Sequence, residues 1–380
     1  MSIRRQWQSF DFLMLIMVIG FACFGVVIIG SASAHAVEYG LSGDSNQKMF
    51  VATGVAILVV ATLVDYHFIA KFYIPIYVSM IIILLFMFTL PTDETHTNRW
   101  LRLTIGGREL GIQPSEFVKL MLMIALSKFL DMNKEKINTL PVIAAAGALI
   151  AAPAILVALQ PALSASVVIV IIGAILIFAA QIKFRYVFIL LLACAICGGV
   201  FYWDWNYNAG KIADLLLGEY QVARIYAFLH HNPQATTREF YQINISLKSI
   251  RAGELNGKGL GNGSFIPAGT NDFIFSVLGE EFGFMGCAAA IAVAFIIITK
   301  CLLVANRAPD LLGNLIATGV AGMLAFEVFV NVSVATSILP NTGMSFPFLS
   351  SGGSAMWVNM ACIGLVLNIG LYKTKSIFEG

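Results

Sequence analysis

The sequence predicts an all-α integral membrane protein of about ten transmembrane helices, with a large extracytoplasmic loop between helices 7 and 8. Three observations carry that expectation. Hydrophobic residues make up 59% of the 380-residue chain and charged residues only 12%, about half the charged share of an ordinary soluble domain. Mean hydropathy is +0.85. The apolar residues fall in runs of about twenty, the length that crosses a hydrocarbon core, and they do not alternate with polar ones. A backbone in lipid has to satisfy its own N–H and C=O groups, so such runs read as helices rather than barrel strands.

In order, the expected spans are Phe10–Ser31, Met49–Val64, Phe72–Leu90, Pro114–Leu130, Leu140–Leu159, Ala165–Gln181, Val187–Trp203, Asp272–Lys300, Leu311–Ala335 and Gly353–Tyr372. The first follows Arg4 and Arg5 and lacks a small-residue cleavage site, so it reads as a retained helix rather than a signal peptide. No internal repeat is evident, and residues 1–380 read as one polytopic domain. An even number of spans puts both termini on one side. The short connections on that side carry Lys71, Lys134, Lys136, Lys183, Arg185 and Arg307, whereas the short connections opposite carry only Lys48. The positive-inside bias therefore makes both termini cytoplasmic.

Net charge is +2, which gives no reason to expect nucleic acid. The six cysteines (Cys23, Cys194, Cys197, Cys287, Cys301, Cys362) lie in or beside apolar runs. Cys194 and Cys197 form a CxxC with no histidine nearby, which favours packing over redox or metal chemistry.

Two outer loops are long, His96–Gln113 and Asp204–Asn271. A loop of the second one's size in a tightly connected bundle is more often functional than idle. Its aromatics and the amphipathic stretch Gln242–Ile250 point to short helices at the membrane interface.

Three clusters carry chemistry. The first runs from Asn98-Arg99-Trp100 through Gly106-Gly107 to Gln113-Pro114-Ser115-Glu116, then Lys119. Pro114 and Glu116 suit a helix N-terminus, and Glu116 and Lys119 share a face. A capped helix start and the wall of a polar pocket both fit, since ionisable groups at membrane depth usually face a cavity. The second cluster is Gly257-Lys258-Gly259-Leu260-Gly261, then Asn271-Asp272-Phe273 and Glu280-Glu281. Its glycines allow tight turns and close backbone approach. No Ser or Thr follows the lysine, which excludes a Walker site. Asp272 fits either a helix cap or a catalytic carboxylate at the water–lipid boundary. The third cluster, Asn331, Pro340–Gly343 and Phe346–Ser354, reads as a shaped re-entrant loop whose amides could form an anion nest. A plain interhelical turn fits it equally.

The three clusters, in this order and at these loop positions, resemble the SEDS family (shape, elongation, division and sporulation), which includes RodA, FtsW and SpoVE. The resemblance covers essentially the whole chain, and its compact ends are more like RodA than FtsW. That family polymerises lipid II into glycan strands beside a class B penicillin-binding protein. The resemblance implies that Asp272 is the catalytic residue and that Glu116 and Lys119 belong to the central cavity. Arg99, Lys119 and Lys258 are then candidates to meet the lipid diphosphate, with Ser350 and Gly352 of the third motif at the substrate. A divalent cation, Mg or Mn, would suit a diphosphate; no metal ligands are identifiable. The site would lie at the outer face of the bacterial cytoplasmic membrane. One departure is that Ala162, after Gln160-Pro161, stands where the family usually has aspartate. It keeps a non-catalytic scaffold in view, beside a lipid II flippase built on Glu116, Lys119 and Glu327.

Overall fold

The structure, a computed structural model, describes residues 10–38, 46–90, 100–105, 108–160, 162–183, 185–186, 199–200, 203–204 and 238–372. The helices are α1 (Phe12–Glu38), α2 (Gln47–Leu63), α3 (Tyr66–Lys71), α4 (Tyr73–Met87), α5 (Pro114–Met132), α6 (Leu140–Leu159), α7 (Leu163–Ala179), α8 (Arg238–Ala252), α9 (Ile274–Asn306), α10 (Leu311–Ala335) and α11 (Gly353–Gly370). Among the described residues, α1, α6, α9, α10 and α11 are long and apolar enough to cross a membrane, and α2, α4 and α7 are shorter apolar helices. Each expected span meets one of these helices except Val187–Trp203, which lies almost wholly outside the described residues, as do the CxxC and the loop through residue 237. The amphipathic stretch Gln242–Ile250 falls inside α8.

Two features differ from expectation. The loop before α5 contains a two-stranded antiparallel hairpin, β1 (Leu101–Ile105) and β2 (Arg108–Ile112), with Leu101 facing Ile112 and Ile105 facing Arg108. Five-residue strands are too short to show a clear period in sequence.

The second difference is a break in α9. Its 33 residues would reach about 50 Å as a straight helix, well beyond a hydrocarbon core of about 30 Å. The helix turns at Gly283, where φ is +65° and ψ −163°. The loop after α8 fills the break. Phe284 and Met285 donate their amides to Glu254 O (2.9 Å) and Leu255 O (3.1 Å), and Lys258 and Gly259 donate theirs to Glu280 O and Glu281 O, both 2.9 Å. The unwound backbone is thus satisfied by protein, as the burial of Gly283 demands.

The second cluster's first glycine serves this contact: Gly257 has φ +78°, and a Cβ there would fall 2.2 Å from Glu281 O. Gly257→Ala is therefore expected to unseat the loop, costing about 1–3 kcal/mol from the strained φ alone. A lowered melting temperature in detergent and new protease cleavage between residues 253 and 263 would register it. An unchanged melt would mean that the loop is not held by this contact.

Where α3 meets the start of α10 and the end of α11, side chains form a clasp. His67 sits between two carboxylates, with Nδ1 2.9 Å from Asp65 and Nε2 2.6 Å from Asp310. The Tyr66 hydroxyl donates to Asp310 (3.0 Å) and the Tyr372 hydroxyl to Asp65 (3.1 Å). Asp310 also caps α10 by accepting from Gly313 N at 2.7 Å. Burial pushes the Asp65 carboxyl up, but hydrogen bonds from His67 and Tyr372 outweigh it and hold the group below its ordinary range. Burial first, then the Asp310 charge, pushes the Tyr66 phenol well above its ordinary value.

The signs are opposite. The Asp65 contribution is present above the ordinary carboxylate value of about 4 and is lost as pH falls through the lowered folded value. The Tyr66 contribution is full below about pH 10 and is lost as pH rises beyond it. Melting temperature in detergent is expected to decline at both extremes, with Asp65→Asn flattening the acid limb. An acid limb identical in Asp65→Asn would remove Asp65 from that account.

Candidate active site

A cavity of about 110 Å³ opens where α5, α7, α10 and the loop before α11 converge. Pro114 starts α5, so Glu116 lies in its first turn and Lys119 one turn further in. Lys119 is only 3% exposed. Its ammonium lies 2.7 Å from Glu116 and 2.6 Å from Glu327, which reaches in from the middle of α10. An ammonium this deep persists only when paired and hydrogen-bonded. Asp272, half-buried just before α9, lines the same cavity with Trp100, Gln113, Ser351 and Gly352. The described lining thus sets three carboxylates against one ammonium.

The loop between α10 and α11 is locked rather than open. The Ser350 hydroxyl donates to Asn271 O at 2.7 Å and accepts from Phe346 N at 2.8 Å. Ser351 N donates to Thr270 O at 2.8 Å, and Ser350 N to Phe346 O at 3.0 Å. Gln47, buried at the start of α2, meets Ser350 O and Gly352 N at 3.4 Å each. These bonds occupy the amides of Ser350, Ser351 and Gly352.

Of the residues singled out from sequence, the structure brings Asp272, Glu116, Lys119 and Gly352 together. Ser350 and Lys258 are not in the cavity lining. Lys258 pairs at 2.5 Å with Glu280, which also accepts from the Ser264 hydroxyl at 2.6 Å. Arg99 lies outside the described residues. Ala162 is the N-cap of α7, buried beside the cavity wall formed by Ser164 and Ala165.

Glu327 lines the cavity, and Gln47 and Asn331 hold the backbone around it. The sequence had pointed to Glu327 only for a headgroup path and to Asn331 only for the third cluster, and Gln47 was missed. For Glu327 the signal was available, a lone carboxylate within an apolar span. Among the described residues, no group of three or more His, Cys, Asp or Glu side chains is arranged to hold a metal ion.

The chain matches the model of the cell cycle protein family FtsW/RodA/SpoVE over residues 11–375. It belongs to that family. A relative named probable peptidoglycan glycosyltransferase FtsW, from Geobacter sp. (strain M18), is 30% identical over 96% of this chain and 98% of its own length. In three dimensions the chain is similar to a chain of a peptidoglycan synthase complex, solved in work on the structural coordination of polymerization and crosslinking. That similarity has a TM-score of 0.77 and 24% identity, over 96% of this chain and 98% of that one. The crystal structure of the rod shape determining protein RodA of Thermus thermophilus is also similar, with a TM-score of 0.69 and 22% identity over 97% and 99%.

The resemblance seen in the three clusters is thereby borne out, and the helices described above form the multi-pass membrane fold of the FtsW/RodA/SpoVE family. Relatives carry the FtsW, SpoVE and RodA names alike, so the leaning toward RodA stays an expectation.

Proposed function

We propose that this protein is a peptidoglycan glycosyltransferase that polymerises lipid II into glycan strands at the outer face of the bacterial cytoplasmic membrane. The observation that carries the reading is Asp272, held at a polar cavity in the bundle at the start of a membrane-crossing helix. A lipid-linked sugar presents its reacting carbon at that boundary while its tail stays among the helices.

In the reaction, a sugar hydroxyl of the acceptor attacks the anomeric carbon of the donor. The new C–O bond forms as the bond from that carbon to the diphosphate oxygen breaks. Asp272 takes the hydroxyl proton as general base, and the diphosphate leaves on its polyprenyl chain. Lys119 is the ammonium of the described lining and supplies positive charge for the departing group. Its two glutamates hold it in place, so the pair Glu116 and Glu327 orients the cation rather than reacting.

The basic residues of the short connections support cytoplasmic termini. A class B penicillin-binding protein, cross-linking the product, is the partner that this reading implies.

The buried Lys119 triad also suits a headgroup path, the observation that favours a flippase. Purified protein in detergent, incubated with lipid II with and without the penicillin-binding partner, separates the two. A flippase has no sides to work between in detergent. Glycan product there is the expected result, and its absence with the partner present overturns the enzyme reading in favour of transport or a scaffold.

A further inference from the structure

Three successive carbonyls at the base of the cavity are each held by a donor from elsewhere in the chain. Thr270 O accepts from Ser351 N at 2.8 Å. Asn271 O accepts from the Ser350 hydroxyl at 2.7 Å. Asp272 O accepts from the Asn331 side-chain amide at 3.0 Å, and the same amide nitrogen donates to Met344 O at 2.8 Å. The amides on either side are held too, since Asn271 N and Phe273 N both donate to Ala268 O, at 3.0 and 3.2 Å.

Asn331 projects from α10 one turn beyond Glu327 and is 1% exposed. Both of its acceptors are carbonyls, so only the nitrogen of its amide can face them, and no side chain of that size but an amide can donate to both. One helix, α10, therefore supplies the glutamate that orients Lys119 and the asparagine that ties Asp272 to the re-entrant loop.

We propose that Asn331 and Ser350 are positioning residues for Asp272: they fix the backbone that carries the carboxylate. This rests on the glycosyltransferase reading and deepens it. A general base works within hydrogen-bond reach of its proton, and a displacement of about 1 Å costs on the order of a hundredfold in rate. A lost anchor at Asp272 O or Asn271 O acts on that distance. Lys119, Glu116 and the lipid-holding helices are left as they were. It also gives Ser350 a task that involves no contact with substrate.

The test uses full-length Asn331→Leu, close in size but without donors, and Ser350→Ala, which removes one oxygen. Two readouts are taken in detergent. In steady-state polymerisation of lipid II with the penicillin-binding partner, kcat is expected to fall about tenfold to a hundredfold for Asn331→Leu and less for Ser350→Ala. KM should stay within twofold of the parent's. In amide hydrogen exchange, which needs no activity, residues 271–276 should exchange about tenfold faster, with α10 and the far half of α9 unchanged.

A rise in KM at constant kcat for Ser350→Ala would make Ser350 a substrate contact and overturn its positioning role. Parental exchange at 271–276 in Asn331→Leu, or faster exchange throughout α10, would overturn that of Asn331. If the parent protein made no glycan, the polymerase reading would fall on its own, while the exchange arm would still decide whether the two residues hold Asp272.

Discussion

Asp272→Asn is expected to lower glycan polymerisation by about two to four orders of magnitude, the usual contribution of a positioned general base. The substitution keeps the size of the side chain and leaves the backbone of residues 270–273 on its donors, Ser351 N, the Ser350 hydroxyl and the Asn331 amide. What it removes is the ability to accept a proton as the acceptor hydroxyl attacks. The variant should therefore fold, bind lipid II and assemble with its partner as the parent does, with the loss confined to kcat. Quantifying glycan product in detergent, alongside equilibrium binding of lipid II, measures both sides. Near-parental polymerisation by a well-folded Asp272→Asn protein would remove Asp272 from the chemistry.

Replacing Lys119 by Met has the largest expected effect on stability. The ammonium stands between Glu116 and Glu327 at 2.7 and 2.6 Å, buried together with Glu327 and beside a partly buried Glu116. Removing it leaves two carboxylates facing each other without a counter-ion, and breaking a buried pair in this way costs about 3–5 kcal/mol. A neutral neighbour should restore part of the loss, so Lys119→Met with Glu327→Gln is expected to melt higher than Lys119→Met alone. The double-mutant cycle in detergent then reads the coupling, about 0.5–3 kcal/mol for groups in contact. Additive losses would mean that the two residues do not sense each other. Activity should fall in both proteins, because neither retains an oriented cation in the cavity.

Much of this architecture was legible in the residues themselves. Long apolar runs leave a backbone in lipid one way to satisfy itself, so spans such as Leu140–Leu159 and Leu311–Ala335 coincide with α6 and α10. Pro114 and Glu116 similarly marked the start of α5. The hairpin before α5 and the break at Gly283 were not legible. Both depend on backbone hydrogen bonds to segments that sequence cannot bring together, Leu101 with Ile112 and Phe284 with Glu254.

The candidate site divides the same way. Asp272, Glu116 and Lys119 stood out because ionisable groups beside or within apolar runs are costly and need a reason. Of the glycines around Lys258, which suggested close backbone approach, Gly257 packs against α9. Composition and pattern alone determined that this chain crosses a membrane, and three ordered motifs identified its family. Which carboxylates share one ammonium, and which donors hold Asp272, was decided only by tertiary structure. Those contacts join residues as far apart as Lys119 and Glu327, or Asn271 and Ser350. A one-dimensional pattern records what each residue costs to bury, but not which partner, across the bundle, makes that burial tolerable.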